Sequence, residues 1–224
     1  MTVSLTRKEA VWGWRYLLFQ LLVLPELLGL VNSLPGIRLD APLLNLIYFS
    51  INFLAVLLIC GRFLLANLQI VRPGRLILTG FICLAAYWLL SYAVTALIIQ
   101  IYPDFYNVND QSISGMAGSS FILTAIGTVI LVPVAEEVFY RGILFGTLYR
   151  VHRLLGYGIS VLVFALIHVM QYIGTYPADL LDLCLLQYIP AGICLALDYK
   201  KSDSILCPIL MHTVINAIGV YSMR

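Results

Sequence analysis

Apolar runs close to the length of a membrane crossing recur along this chain, and they constrain its fold more than any other feature. A spanning helix needs about twenty predominantly apolar residues. By that ruler the sequence predicts helices over roughly 12–33, 43–66, 76–101, 117–149, 157–173, 180–197 and 205–222. With 62% hydrophobic residues, 11% charged residues and a mean hydropathy of +0.97, the chain lies outside the range of soluble globular proteins. An all-α polytopic bundle of about seven spanning helices is therefore expected.

The chain reads as a single membrane domain over 1–224, without an internal repeat, a low-complexity tract or a linker long enough to divide it. Run 12–33 is interrupted by Pro25 and carries Glu26, to which no chemistry is assigned; its length and the lack of a small-x-small site predict a retained first helix. Segment 102–116, with Pro103, Asp104, Asn107, Asn109, Asp110 and Gly115, has the composition of an aqueous loop. Run 117–149 is too long for one crossing, because its residues at 1.5 Å each reach roughly 50 Å against a hydrocarbon core of about 30 Å. Pro133 is expected to break or kink it.

Lys and Arg in the connections give an independent view of topology, since cytoplasmic loops hold their excess. Arg7, Lys8 and Arg15, then Arg62, Arg72 and Arg75, then Arg150 and Arg153, then Lys200 and Lys201 fall on alternate connections. The other side has Arg38 and the terminal Arg224. A cytoplasmic amino terminus and an exterior carboxyl terminus are expected. The net charge of +2 and the scatter of basic residues exclude a nucleic-acid partner. Cys60, Cys83, Cys184, Cys194 and Cys207 form no CxxC pair and read as small packing residues.

Three ionisable groups, Glu136, Glu137 and Arg141, sit in the fourth run, where each charge costs a few kcal/mol or more unless it has a partner or a role. Glu137 and Arg141 are spaced i,i+4 with the acid first, the order in which a helical ion pair forms best. Glu136 has no basic residue at a helical spacing, which leaves it free to act as a general base on water. His168 and His212 lie inside apolar runs, and His212 and Asn216 share a helix face at i,i+4, able to donate hydrogen bonds towards a developing oxyanion. His152, between Arg150 and Arg153, is set aside as a solvated loop residue. Counted from the Lys/Arg-rich ends of their helices at 1.5 Å per residue, Glu136, His168 and His212 fall at depths of roughly 21, 16 and 12 Å, within one slab of the membrane.

The ordered set Glu136-Glu137-Val-Phe-Tyr-Arg141, Phe164-x-x-x-His168 and His212-x-x-x-Asn216 resembles the EExxxR, FxxxH and HxxxN motifs of the CPBP family, the CAAX-protease and bacteriocin-processing intramembrane proteases also called Abi. The likeness covers 117–222; residues 1–116 carry no motif. The resemblance implies a helical bundle with an internal cavity and hydrolysis of a peptide bond near the cytoplasmic side. It also implies that Glu136 and His168 activate water while His212 and Asn216 form the oxyanion hole. Glu137 and Arg141 would support the site, with Phe164 packed beside it. The expected substrate is a peptide or protein terminus that enters a membrane-embedded cavity from the cytoplasmic side.

No cofactor is favoured. The HExxH spacing of helical zinc proteases is missing and Asn216 is a poor zinc ligand; a zinc ion, if held, would take Glu136, His168 and His212. Two alternatives belong to other classes. A membrane scaffold or immunity-type regulatory partner could retain the fold, binding a membrane protein rather than cutting a substrate. A proton-coupled transporter fits less well, because the polar groups gather at one depth instead of forming a path.

Overall fold

A computed structural model describes residues 3–69 and 72–223; the terminal Arg224, counted above on the exterior side, lies outside the described residues. All of the described regular structure is helical. Every predicted apolar run appears as a helix: α1 Arg7–Leu22 and α2 Leu24–Asn32, α3 Ala41–Gln69, α4 Pro73–Ile101, α6 Phe121–Val151, α7 Arg153–Ile167, α8 Ala178–Ser202 and α9 Leu206–Ser222. An additional helix, α5 Val108–Ser119, occupies the segment expected to be an aqueous loop. By length and composition α3, α4, α6 and α8 can each cross a membrane, and α1 with α2, bent by 43°, makes a fifth if the pair is one broken span rather than a re-entrant loop. The chain is an integral, multi-pass membrane protein. Helices α7 and α9 are apolar but shorter.

Local chemistry explains the helix ends. Thr6 and Glu9 form a capping box at the start of α1, and the buried Glu9 also accepts from Arg62 at 2.7 Å and from the Phe63 backbone N–H at 3.0 Å. One carboxylate thus starts a helix and ties it to α3. Pro25, at the second position of α2, lacks the N–H that would have continued α1, so the axis turns at Val23. Pro73 opens α4, where the missing N–H costs nothing. Asp203, at φ 60°, ends α8 in the left-handed region that asparagine, aspartate and glycine tolerate best.

The expected break of the fourth run at Pro133 does not occur. Helix α6 is continuous over 31 residues and absorbs the proline by rewinding into π-helical turns over Ile126–Leu131 and again over Val138–Phe145. It is also the centre of the bundle. Within the apolar eighteen-residue stretch of each span, 44% of α6 and 50% of α8 are buried, against 17% of α3 and 11% of α4, so α6 and α8 form the interior while α3 and α4 face outwards. Helix α8 packs against α4 and α7. A Cβ on Gly192 would lie 3.0 Å from Val161 Cγ1 and 3.3 Å from its Cα, so the glycine permits the close approach of α7 and α8.

The basic residues gather at one end. Arg62 reaches Glu9, Arg75 Nε donates to the Lys201 carbonyl at 2.7 Å, and Lys200 Nζ sits 4.9 Å over the Tyr149 ring. The starts of α1 and α4 and the ends of α3, α6 and α8 therefore share a face of the bundle, as the alternation of Lys and Arg requires. All five cysteines are buried and free.

Segment 102–116 departs from its predicted character for a physical reason. Pro103 and Asp104 do make an exposed turn, but Asn107 caps α5 by accepting from the N–H groups of Asn109 and Asp110. Val108 is fully buried with Val169, Leu180, Leu181 and Cys184, so α5 is part of the packed structure.

Candidate active site

Helix α6 contributes both carboxylates, and the structure assigns them different environments. Glu137, with no exposed surface, places Oε2 3.2 Å from Arg141 Nε and Oε1 2.8 Å from His212 Nδ1. The i,i+4 pair expected from the sequence is present, and it is joined by an imidazole from α9 that the spacing did not reveal. An ionised carboxylate can only accept, so His212 carries its hydrogen on Nδ1 and directs Nε2 away from Glu137. Glu136, one residue earlier, has a buried Oε2 with no hydrogen-bond partner among the described residues. It is near enough to His212 and Arg141 to feel both electrostatically, and Tyr48 of α3 lies in its field.

His168 was expected within a helix; instead α7 ends at Ile167 and His168 is its carboxyl-terminal cap. Its Nδ1 lies 2.7 Å from the Phe164 carbonyl oxygen, a group that only accepts, so this ring too keeps Nδ1 protonated and Nε2 open. The ring of Tyr188, from α8, stacks on it with centroids 4.0 Å apart. Phe164 does more than fill space. Its ring lies 4.2 Å from Arg141 Cζ, 4.8 Å from the His168 ring and 5.8 Å from the His212 ring. The FxxxH spacing acquires a physical meaning here: the phenylalanine carbonyl pins the histidine, and its ring covers a buried guanidinium.

Arg141 is fully buried, and beyond Glu137 and Phe164 its Nη2 reaches the Gly192 carbonyl oxygen at 3.4 Å. A buried cation held by a carboxylate, a ring and a carbonyl locks α6, α7 and α8 together. Asn216 Nδ2 donates to the Thr128 carbonyl oxygen at 2.8 Å. Thr128 needs that donor. The Val132 N–H bonds back to Gly127 in the π-helical turn, and the next residue, Pro133, has no N–H to give. One amide hydrogen of Asn216 is thus committed to α6, and the second is left for another acceptor.

The structure therefore brings together Glu137, Arg141, Phe164, His168 and His212 in one connected cluster, with Glu136 in electrostatic reach of His212 and Arg141 and Asn216 anchoring α9 to α6 beside it. The resemblance also implied an internal cavity. A cavity of about 230 Å³ lies at the basic end, lined by residues including Arg7, Phe63, Gly142 and Arg150, and none of Glu136, His168, His212 or Asn216 lines it. No group of three or more His, Cys, Asp or Glu among the described residues is arranged to hold a metal ion, so Glu136, His168 and His212 do not fit a zinc site as they stand. Sequence reasoning missed Tyr188, which touches the site through stacking alone and has no spacing signature, and Tyr48, which lies in the half of the chain that carries no motif.

A multi-helix membrane bundle with paired carboxylates, two imidazoles and a guanidinium joined at its core has the components of an intramembrane hydrolase. The comparisons narrow this class. Residues 118–218, a little under half of the chain, match the family described as Rce1-like, type II CAAX prenyl endopeptidase Rce1-like. That family is one of CAAX-type intramembrane endopeptidases. No curated protein and no solved structure matches the chain significantly.

Proposed function

We propose that the chain is an intramembrane endopeptidase that hydrolyses a peptide bond in a peptide or protein terminus reaching the membrane-embedded site. The observation that carries this reading is the division of labour between adjacent carboxylates. Glu137 gives Oε1 to His212 and faces Arg141 Nε with Oε2 at 3.2 Å, whereas among the described residues Glu136 has neither an ion pair nor a hydrogen bond at its buried Oε2 and lies in electrostatic reach of His212, whose Nε2 is open. Glu136 takes a proton from water, and the hydroxide adds to the scissile carbonyl carbon. His168 Nε2 accepts a hydrogen bond from the hydrogen that stays on that oxygen and holds it in line. The negative charge that appears on the carbonyl oxygen is met by His212 when protonated at Nε2 and by the second amide hydrogen of Asn216. Collapse breaks the C–N bond, and the proton held by Glu136 passes to the departing amine.

Metal-free chemistry is the reading favoured, since the HExxH spacing of helical zinc proteases is missing and Asn216 is a poor zinc ligand. Chelator titration with metal analysis of the purified protein tests it: activity independent of both supports it, and activity restored only by a stoichiometric metal overturns it. The distribution of Lys and Arg supports a cytoplasmic amino terminus, with substrate entering from that side.

The decisive experiment is Glu136→Gln in protein reconstituted in liposomes, assayed with a quenched peptide ending in a prenylated cysteine and three further residues. Loss of the general base should lower the rate by roughly 10²–10⁴-fold with the folded yield unchanged. Undiminished turnover by that variant excludes Glu136 as the base.

A further inference from the structure

His168 has left the helix that precedes it, so the backbone does not by itself hold its ring. One restraint is the 2.7 Å contact between Nδ1 and the Phe164 carbonyl oxygen. A single hydrogen bond fixes an atom but leaves the ring plane free to rock about it. The other restraint is Tyr188, whose ring lies parallel to the imidazole within 21° at a centroid separation of 4.0 Å. Stacking at that distance defines a plane.

Tyr188 is itself held. Asn109 Nδ2 donates to its hydroxyl oxygen at 3.0 Å, and the hydroxyl hydrogen is shared between Asp110 Oδ1 at 3.1 Å and Asn107 Oδ1 at 3.3 Å. The same short stretch is braced on both sides. Asn107 Nδ2 donates to Gln187 Oε1 at 2.7 Å, Gln187 Nε2 donates to Thr95 Oγ1 at 3.0 Å, and the Tyr172 hydroxyl donates to Asn109 Oδ1 at 3.3 Å. Three polar residues at the start of α5, Asn107, Asn109 and Asp110, thus converge on one phenol, with α4 and α8 as backing.

We propose that Tyr188 is a positioning residue for the hydrolytic site, and that the Asn107–Asn109–Asp110 cluster at the start of α5 is the clamp that aims it. The phenol ring sets the plane of His168 and so the direction in which Nε2 faces the water. The polar start of α5 exists to hold that ring, which is why a segment so rich in Asn and Asp lies packed against the bundle instead of dissolving into solvent. This rests on the proposed role of His168 in water activation. The placement of the ring itself can be tested without it.

Two measurements on the purified full-length chain separate the possibilities. The first is nuclear magnetic resonance of ring-labelled histidine in detergent micelles, with only three histidines to assign and His168→Gln to identify the resonance. Tyr188→Leu should remove Tyr188's share of the ring-current shift of the His168 protons, leaving only that of Phe164. Tyr188→Phe should retain both shares but broaden the resonance, because the clamp is lost while the ring stays, and Asn109→Ala should behave like Tyr188→Phe. An unchanged His168 resonance in Tyr188→Leu overturns the proposal whatever the activity shows.

The second is cleavage of the prenylated quenched peptide. A misaimed group of this kind should cost roughly 10–100-fold in kcat with KM little altered, and Tyr188→Phe should recover much of it. Most tellingly, Tyr188→Leu should add nothing in a His168→Gln background, because a residue that acts through His168 cannot be lost twice. Full additivity of the two losses, or a lower melting temperature with kcat per folded molecule unchanged, assigns Tyr188 to structure alone and overturns the proposal. Absence of wild-type cleavage would instead count against the peptidase reading, and the resonance measurement would still decide the placement.

Discussion

His212 Nδ1 lies 2.8 Å from Glu137 Oε1, and this bond joins the two-carboxylate motif of α6 to the histidine motif of α9. The same carboxylate holds Arg141 at 3.2 Å. Glu137 therefore serves two cationic or protonatable partners at once, in a place with no exposed surface on either Glu137 or Arg141.

Removing Glu137 strands both. Glu137→Ala leaves the buried guanidinium without an ion-pair partner, facing a carbonyl and a ring with Glu136 only in electrostatic reach, and breaking a buried pair in this way costs about 3–5 kcal/mol. The expected outcome is loss of folded protein, seen as a melting temperature lower by roughly 6 °C or more in detergent. Glu137→Gln keeps the shape and the hydrogen-bond acceptor, so it should retain more of the fold while losing activity, since His212 no longer has an anion to orient it. Equal melting temperatures for wild type and Glu137→Ala would contradict the arrangement.

Asn216 and Pro133 form a second testable pair. The Thr128 carbonyl oxygen lacks a backbone donor because of Pro133, and Asn216 Nδ2 supplies one at 2.8 Å. A buried acceptor left unmade costs about 1–3 kcal/mol, so Asn216→Ala should destabilise by that amount. Pro133→Ala restores a backbone N–H, and in that background Asn216→Ala should cost less. A double-mutant cycle on the melting curves is expected to show coupling of about 1 kcal/mol. Additive effects would mean that the amide is not replacing the missing backbone donor.

The apolar runs carried the bundle legibly, because a bilayer of fixed thickness imposes a length that can be counted residue by residue. The ion pair of Glu137 and Arg141 was legible for a similar reason, as an i,i+4 pair lies within one helix and owes nothing to the rest of the fold. What spacing could not convey is contact between helices. Nothing in HxxxN says that His212 turns to Glu137, nor in FxxxH that Phe164 covers Arg141. Pro133 misled in the opposite direction, since a break is the ordinary result of a proline, whereas a π-helical turn can absorb one when another helix supplies the missing donor. Segment 102–116 was misjudged because Asn and Asp carry the same local signal whether their partner is water or the hydroxyl of Tyr188.

Phe164 offers a test confined to one side chain. Its ring lies 4.2 Å from Arg141 Cζ, while its carbonyl, which holds His168, belongs to the backbone and survives any substitution. Phe164→Leu should thus remove the cation–π contact and some packing, lowering stability by about 1–3 kcal/mol, with the Nδ1 bond of His168 intact. Chemical denaturation of the variant, read alongside the His168 ring resonance, distinguishes the two contributions. A large change in the tautomer of His168 would show that the ring, and not the carbonyl, sets it.

Gly192 links the packing of the bundle to the site. It lies four residues beyond Tyr188 on α8 and faces Val161 on α7, the helix that ends at His168; a Cβ there would meet Val161 Cγ1 at 3.0 Å and the Val161 Cα at 3.3 Å. Its carbonyl also accepts from Arg141. Gly192→Val must push α7 and α8 apart, and overpacking of this kind costs about 1–3 kcal/mol. Because the stack of His168 on Tyr188 spans the same two helices, the variant should lose activity beyond what its reduced folded fraction explains. Gly192→Ala paired with Val161→Ala removes the Cγ1 clash but leaves the backbone at 3.3 Å, so it should recover part of the stability lost by Gly192→Ala alone. Melting temperature and kcat measured on the single and paired variants decide this: no recovery on trimming Val161 would show that the α7 backbone, and not that side chain, sets the spacing between the two helices.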